Sequence, residues 1–141
     1  MRVTEQEYER LKNRPVTKIT DMAVFDIVPV AKPRMTRRDK WLNPPRPKVA
    51  KYRAFCNEAK ALKITIEPSG SHVLFVLPMP KSWSKQKKEI MNYQMHQQTP
   101  DLDNLAKALF DALFENDCQI YDVRLTKVWG YKGQIKIRAK T

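Results

Sequence analysis

Five charged residues in one short stretch, Asp101, Asp103, Lys107, Asp111 and Asp117, have the types and spacing to act on a phosphate. Carboxylates are hard oxygen donors, and a group of them suits Mg2+ or Mn2+. An ion held in this way lowers the pKa of a bound water and neutralises charge developing on a phosphoryl oxygen. A lysine beside it adds a point charge. From Asp101 to Asp122 there are six acids and one base, whereas the rest of the chain has twenty-six Lys and Arg against nine Asp and Glu. An acidic island in a cationic molecule calls for a cause.

The stretch Thr99–Ile120 reads as one helix that would position these groups. Leu102, Leu105, Leu109, Ala112 and Leu113 recur at amphipathic spacing. Thr99 or Asp101 can cap it, and Pro100 suits a first turn. Asp101 and Asp103 lie at its mouth, where their side chains can converge. Asp103 and Lys107 share a face at i, i+4, and Asp111 continues that stripe. Asp117 opens a strand-like run, Gln119–Val128. If this strand packs back beside the helix, Asp117 comes near the mouth and completes a three-carboxylate site. A structural explanation stands beside the metal one. Acids in a first turn gain roughly 0.3–1 kcal/mol each from the macrodipole, Asp is an ordinary N-cap, and an Asp103–Lys107 surface pair is worth ~0.3–0.5 kcal/mol. Capping leaves Asp117 unexplained.

The run Pro-Asp-Leu-Asp-Asn-Leu-x-Lys-x-Leu-x-Asp-Ala-Leu from Pro100, followed by Asn116-Asp-x-Gln-Ile120, closely resembles the signature of RusA-like Holliday junction resolvases. These are small metal-dependent endonucleases of bacteria and their phages. The matching residues are Asp101, Asp103, Asn104, Lys107, Asp111, Asp117 and Gln119. The resemblance implies that Asp101, Asp103 and Asp117 bind Mg2+, with Mn2+ as a substitute, and that Lys107 is a catalytic or phosphate-stabilising lysine. It also implies a homodimer that nicks two opposed strands. Val30–Arg38 and Met79–Ser84 look similar too, so the likeness runs from about Phe25 to Arg138. Two departures are visible: Thr99 stands where many members have a basic residue, and Asn116-Asp117 where many have Asp-Asp.

The 141 residues, with a net charge of +12 and 42% hydrophobic content, indicate one domain with a modest core and a polyanionic partner. The mean hydropathy of −0.61 fits a chain without a membrane span. Cys56 and Cys118 have neither metal-ligand nor disulfide-framework spacing, and free thiols suit a bacterial cytoplasm. No P-loop or dinucleotide fingerprint is present.

Residues 1–20 form an N-terminal helical extension in this reading, with a helix over Thr4–Leu11, and residues 21–141 form the endonuclease domain. Ala23–Val30 reads as a strand, with Phe25 and Ile27 opposite Val24, Asp26 and Val28. Lys32–Lys63 has eleven basic and two acidic residues. Its front half, through Trp41, reads as a loop or flap that contacts phosphates and stacks on bases; the alternative is a solvated charge run. Lys48–Leu62 reads as a helix. A turn over Pro68–Ser71 leads to a central strand, His72–Met79. Ser84 caps a short helix to about Tyr93. Gln119–Trp129 alternates as a strand, and Gly130–Gly133 reads as a hairpin turn into Gln134–Ala139.

These elements specify an α+β fold: a mixed sheet of about four strands with helices packed on it. The candidate DNA-binding residues are Lys32, Arg34, Arg37, Arg38, Lys40, Lys81, Lys85 and His96. The function expected is a Mg2+-dependent endodeoxyribonuclease resolving four-way junctions in recombination and repair. The alternative is a non-catalytic basic nucleic-acid-binding protein whose acidic helix is structural. A third reading is a nuclease for other branched or flapped DNA.

Overall fold

The computed structural model describes residues 4–6 and 22–138. Its elements run β1 (Ala23–Phe25), a 3-10 turn (Arg37–Lys40), α1 (Pro47–Ala61), β2 (Ser69–Pro78), α2 (Lys85–Met91) and α3 (Leu102–Leu113). A second 3-10 turn (Asp117–Gln119), β3 (Asp122–Gly130) and β4 (Gln134–Arg138) complete the order. Of the helix expected over Thr4–Leu11, residues 4–6 are described, with Glu5 and Gln6 helical; the remainder of it, and the rest of the N-terminal extension, lie outside the described residues.

β2 decides the layout. Val73, Phe75 and Leu77 are buried on one side of it, and Leu74 and Val76 on the other. A strand apolar on both faces belongs in the middle of a sheet, and the order is β1-β4-β2-β3. β3 runs parallel to β2, with Val73 opposite Leu125 and Leu77 opposite Trp129; β4 runs antiparallel, with Phe75 opposite Ile135. Parallel neighbours need a crossover, and α2 and α3 lie in it. The result is α+β with a mixed four-stranded sheet.

α1 and α3 cover one face. Tyr52, Phe55 and Ala59 from α1, and Leu105, Ala108, Leu109 and Ala112 from α3, meet Val73, Phe75, Ile135 and Ile137 in one cluster. Burying a large apolar side chain of this kind stabilises by ~1.5–3 kcal/mol. Phe110, Phe114 and Cys56 pack partly buried against the same cluster. The other face holds a small group, Leu74, Val76 and Val128.

Several boundaries differ from the sequence reading. β3 and β4 do not form a hairpin, because β2 lies between them. Gly130–Gly133 instead passes over the end of β2, where Met79 donates its N–H to the Gly130 carbonyl at 2.9 Å. β1 stops at Phe25, and the Ile27 N–H turns back to the Phe25 carbonyl at 3.0 Å. β2 begins at Ser69, inside the expected turn, with its register shift between Ser69 and Ser71. The acidic helix ends at Leu113, because Phe114 is extended, with φ −125° and ψ 136°. Among the described residues, no helix is long and apolar enough to cross a membrane.

Candidate functional site

The mouth of α3 is fixed by the edge of β3. Tyr93 and His96 donate N–H groups to the Trp129 and Lys127 carbonyls at 2.8 and 3.1 Å, and Trp129 returns one to Gln94 at 3.0 Å. The incoming segment is thereby paired antiparallel along that edge, with Met95 opposite Val128. Lys127 then reaches across with its ammonium, donating to the Gln98 carbonyl at 2.5 Å and to the Pro100 carbonyl at 2.6 Å. The Thr99–Pro100 peptide is cis. Asp101 follows as the extended N-cap residue, with φ −70° and ψ 143°.

Asp101, Asp103 and Lys107 are all exposed. Asp101 makes no side-chain capping bond. Among the described residues, Asp103 and Lys107 do not form an ion pair with each other; the pairs are Lys32–Asp111, Arg46–Asp39 and Lys132–Asp26. The capping bond and the surface pair that would have explained these groups structurally are therefore not made. Two carboxylates at the start of the helix, and an ammonium one turn further along it, stand open to solvent.

Asp111 belongs to a different arrangement. Its carboxylate takes the Lys32 ammonium, and the Lys32 backbone N–H donates to the Asn104 carbonyl at 3.1 Å. Lys32 thus docks the basic loop along α3. Asp117 is not brought to the mouth within one chain. α3 runs its twelve residues, about 18 Å at 1.5 Å per residue, before Asp117 is reached. The returning strand does lie beside the helix, but it is Lys127, late in β3, that meets the mouth. The start of β3 lies at the far end, where Tyr121 donates to the Pro68 carbonyl at 3.1 Å.

A cleft of about 830 Å3 opens next to the mouth, lined by Lys32, Arg34, Arg46, Lys48 and Lys51 together with Thr99 and Pro100. No acid lines it. A groove walled by one sign of charge raises the local concentration of a polyanion. Lys32, Arg34 and His96 were expected as DNA contacts and fall on this wall. Arg37, Arg38 and Lys40 are exposed on the first 3-10 turn, and Lys81 and Lys85 are exposed around the start of α2. The sequence reading missed Arg46, Lys48 and Lys51. The signal for the last two was their i, i+3 spacing on the polar side of α1. It also missed Lys127, whose signal was a lone cation on the apolar side of a strand.

His96 is only 4% exposed. Its ring lies on Trp129 with centroids 3.9 Å apart, and Trp129 in turn meets Trp83 at 4.7 Å. Burial first, and then the Lys127 charge, push the imidazole below the ordinary histidine pKa, so a neutral ring forms this part of the cleft wall.

A divalent cation needs several oxygen donors. Asp101 and Asp103 fit as two exposed carboxylates with no side-chain bond among the described residues. Among the described residues, no three Asp, Glu, His or Cys side chains gather as a metal group. The family model described as Endodeoxyribonuclease RusA matches residues 25–140. Comparisons with curated proteins and with solved structures gave no match.

Proposed function

The chain belongs to the RusA endodeoxyribonuclease family, and on that footing we propose that it cuts four-way DNA junctions in recombination and repair, as a metal-dependent homodimer in the cytoplasm of a bacterial cell, whether host- or phage-encoded. The observation that carries this reading is the set Asp101, Asp103 and, one turn on, Lys107, exposed and without a side-chain bond among the described residues, at a helix whose mouth opens onto a basic cleft that no described acid lines.

Asp101 and Asp103 would hold Mg2+, or Mn2+ in its place, which supplies an activated water and charge neutralisation at the scissile phosphate. Lys107 places its ammonium beside the same phosphate and stabilises the charge that develops there. The cleft cations hold the DNA arms by their phosphates, which positions the strand without reading its sequence. Asp117, at the other end of α3, joins the same site only from a second copy. A two-fold dimer would then carry two mouths, each completed by Asp117 of the partner subunit, and two sites match two opposed strands of a pseudo-symmetric junction.

The alternative, a DNA-binding protein without catalysis, draws on the missing three-carboxylate group in one chain. It leaves Asp101, Asp103 and Lys107, exposed and without an ion pair among the described residues, without a role. Cleavage of a labelled four-way junction, with linear duplex as control, separates the two. Paired nicks near the branch are expected in Mg2+, lost in EDTA and in Asp103→Asn. Lys107→Ala is expected to lower cleavage about 100-fold or more while junction binding stays within about threefold. Tight binding without cleavage in Mg2+ or Mn2+ would establish the alternative.

A further inference from the structure

The loop between β1 and α1 is a frame with a buried hub. Asp39 is 1% exposed. Its Oδ1 accepts Arg46 Nε at 2.7 Å, and its Oδ2 accepts Arg46 Nη2 at 2.7 Å, the Thr36 backbone N–H at 2.7 Å and the Thr36 hydroxyl at 3.1 Å. The Asp39 carbonyl accepts Arg53 Nη2 at 2.9 Å, and Arg46 Nη2 also reaches the Arg34 carbonyl at 2.9 Å. The Arg46 guanidinium holds the Asp39 carboxyl well below the usual carboxylate range, so the hub stays charged under working conditions. A charge-assisted, bidentate network of this kind fixes geometry as well as charge.

What the frame presents outward is an indole among cations. Trp41 is 79% exposed, directly after the turn that carries Arg37, Arg38 and Lys40. Lys40 Nζ lies 5.6 Å from the ring centroid. Trp83 and Trp129 instead pack against each other, their ring planes tilted by 54°. A rigid mount for a largely exposed indole adds little to the core, and Trp41 is not among the residues of either buried cluster. A second copy of this face is a poor occupant: an isologous contact sets the same patch against itself, and here that would bring like charges together. A polyanion with an exposed π-face meets both features, because bases stack on aromatic rings while phosphates take the neighbouring cations.

We propose that Trp41 is a base-stacking finger, its indole seated on a base freed from pairing at the branch, with Arg37, Arg38 and Lys40 on the flanking phosphates. This rests on the junction reading above and assigns within it the side chain that distinguishes branched from linear DNA. A fully paired duplex offers no free base face, so the contact adds affinity only where pairing opens.

The test compares wild type, Trp41→Ala and Trp41→Phe in EDTA, on a four-way junction with 2-aminopurine at the branch and on a linear duplex. Trp41→Ala is expected to weaken junction binding about 10-fold, leave duplex binding within about twofold and abolish the change in 2-aminopurine fluorescence. Trp41→Phe restores most of both. In wild type, junction but not duplex shields the exposed indole from acrylamide quenching. Equal losses on both DNAs, no loss on either, or an indole still quenchable in the junction complex would each overturn the assignment. If wild type prefers and cuts junctions while Trp41→Ala behaves identically, this assignment alone fails. If wild type itself neither prefers nor cuts junctions, the functional reading fails, and this one falls with it.

Discussion

Lys127 shows how one side chain can set up a site that it does not enter. It lies on the side of β3 that also carries Val123, Leu125 and Trp129, yet its ammonium serves two carbonyls on the approach to Asp101. Bonds to a charged donor contribute roughly 1.5–3 kcal/mol, and a 1 Å misplacement of a reacting group can cost about 100-fold in rate. Lys127→Met keeps the apolar stem and deletes the donor. It is expected to lower the junction cleavage rate at least 10-fold at saturating DNA while the dissociation constant moves less than threefold. An unchanged rate in a measurably less stable variant would reduce Lys127 to a structural role. The buried histidines give a second residue-scale expectation. His72 is pushed below its ordinary pKa by burial, then by Arg124 and Arg138, and His96 by burial, then by Lys127. The folded state therefore binds fewer protons than the unfolded one once pH falls below about 6.5, and stability rises with pH wherever the unfolded state binds more. Their contribution is complete above that pH and is lost as pH drops toward the lowered values. Asp39, also lowered on folding, has the same sign of linkage, but its contribution is lost only below the carboxylate range, about 3.9. The urea midpoint should fall between pH 7 and pH 5, and His72→Gln with His96→Gln should flatten that fall; a wild-type midpoint that is level over this interval contradicts it.

At the scale of elements, the link between β3 and β4 has a sharp steric requirement. A Cβ on Gly130 would stand 2.2 Å from Val76 Cγ1, and one on Gly133 would stand 2.7 Å from Val28. Val76 is 1% exposed on the central strand, so it has little room to yield. Gly130→Ala is expected to destabilise by about 1–3 kcal/mol, the usual cost of overpacking, read as a lower urea midpoint with an unchanged slope. A loss under about 0.5 kcal/mol would mean that β2 shifts freely beneath the link. The same glycines explain an error in reading the sequence. Their spacing around Tyr131-Lys132 matches a hairpin turn, and local turn chemistry is blind to a third strand entering between two neighbours. The information that β2 belongs between them was present in Val73–Leu77, as apolarity on both faces, but it concerned another segment. The alternation of β3 was legible for the converse reason: Val123 and Leu125 face the large cluster and Val128 the small one, and this needs no knowledge of the partner strand. The carboxylate mouth was legible from charge reversal and spacing. Where Asp117 lies relative to it was not, because that depends on how far along the helix the following strand begins.

For the whole molecule, that placement has a consequence for assembly. Asp101 and Asp103 stand at one end of α3, and Asp117 follows the other end, about 18 Å along the axis. If all three carboxylates are needed for cleavage, no single chain holds them together, and each working mouth borrows Asp117 of the partner subunit. In a homodimer of Asp103→Asn, both mouths are damaged; in a homodimer of Asp117→Asn, both mouths again lack one carboxylate. A heterodimer of the two variants differs, because both lesions fall in one mouth and the other is intact. Each variant alone should be inactive on a four-way junction, whereas the two, unfolded and refolded together so that subunits exchange, should recover cleavage in the roughly half of dimers that are mixed. These dimers should nick one strand and not the opposed one. Differential tags on the two variants verify that mixed dimers are present. Continued inactivity with mixed dimers present would mean that Asp117 acts beside its own chain's mouth after a rearrangement of β3. Activity in Asp117→Asn alone would remove it from the site, leaving the two carboxylates at the mouth as the chain's whole contribution to metal binding.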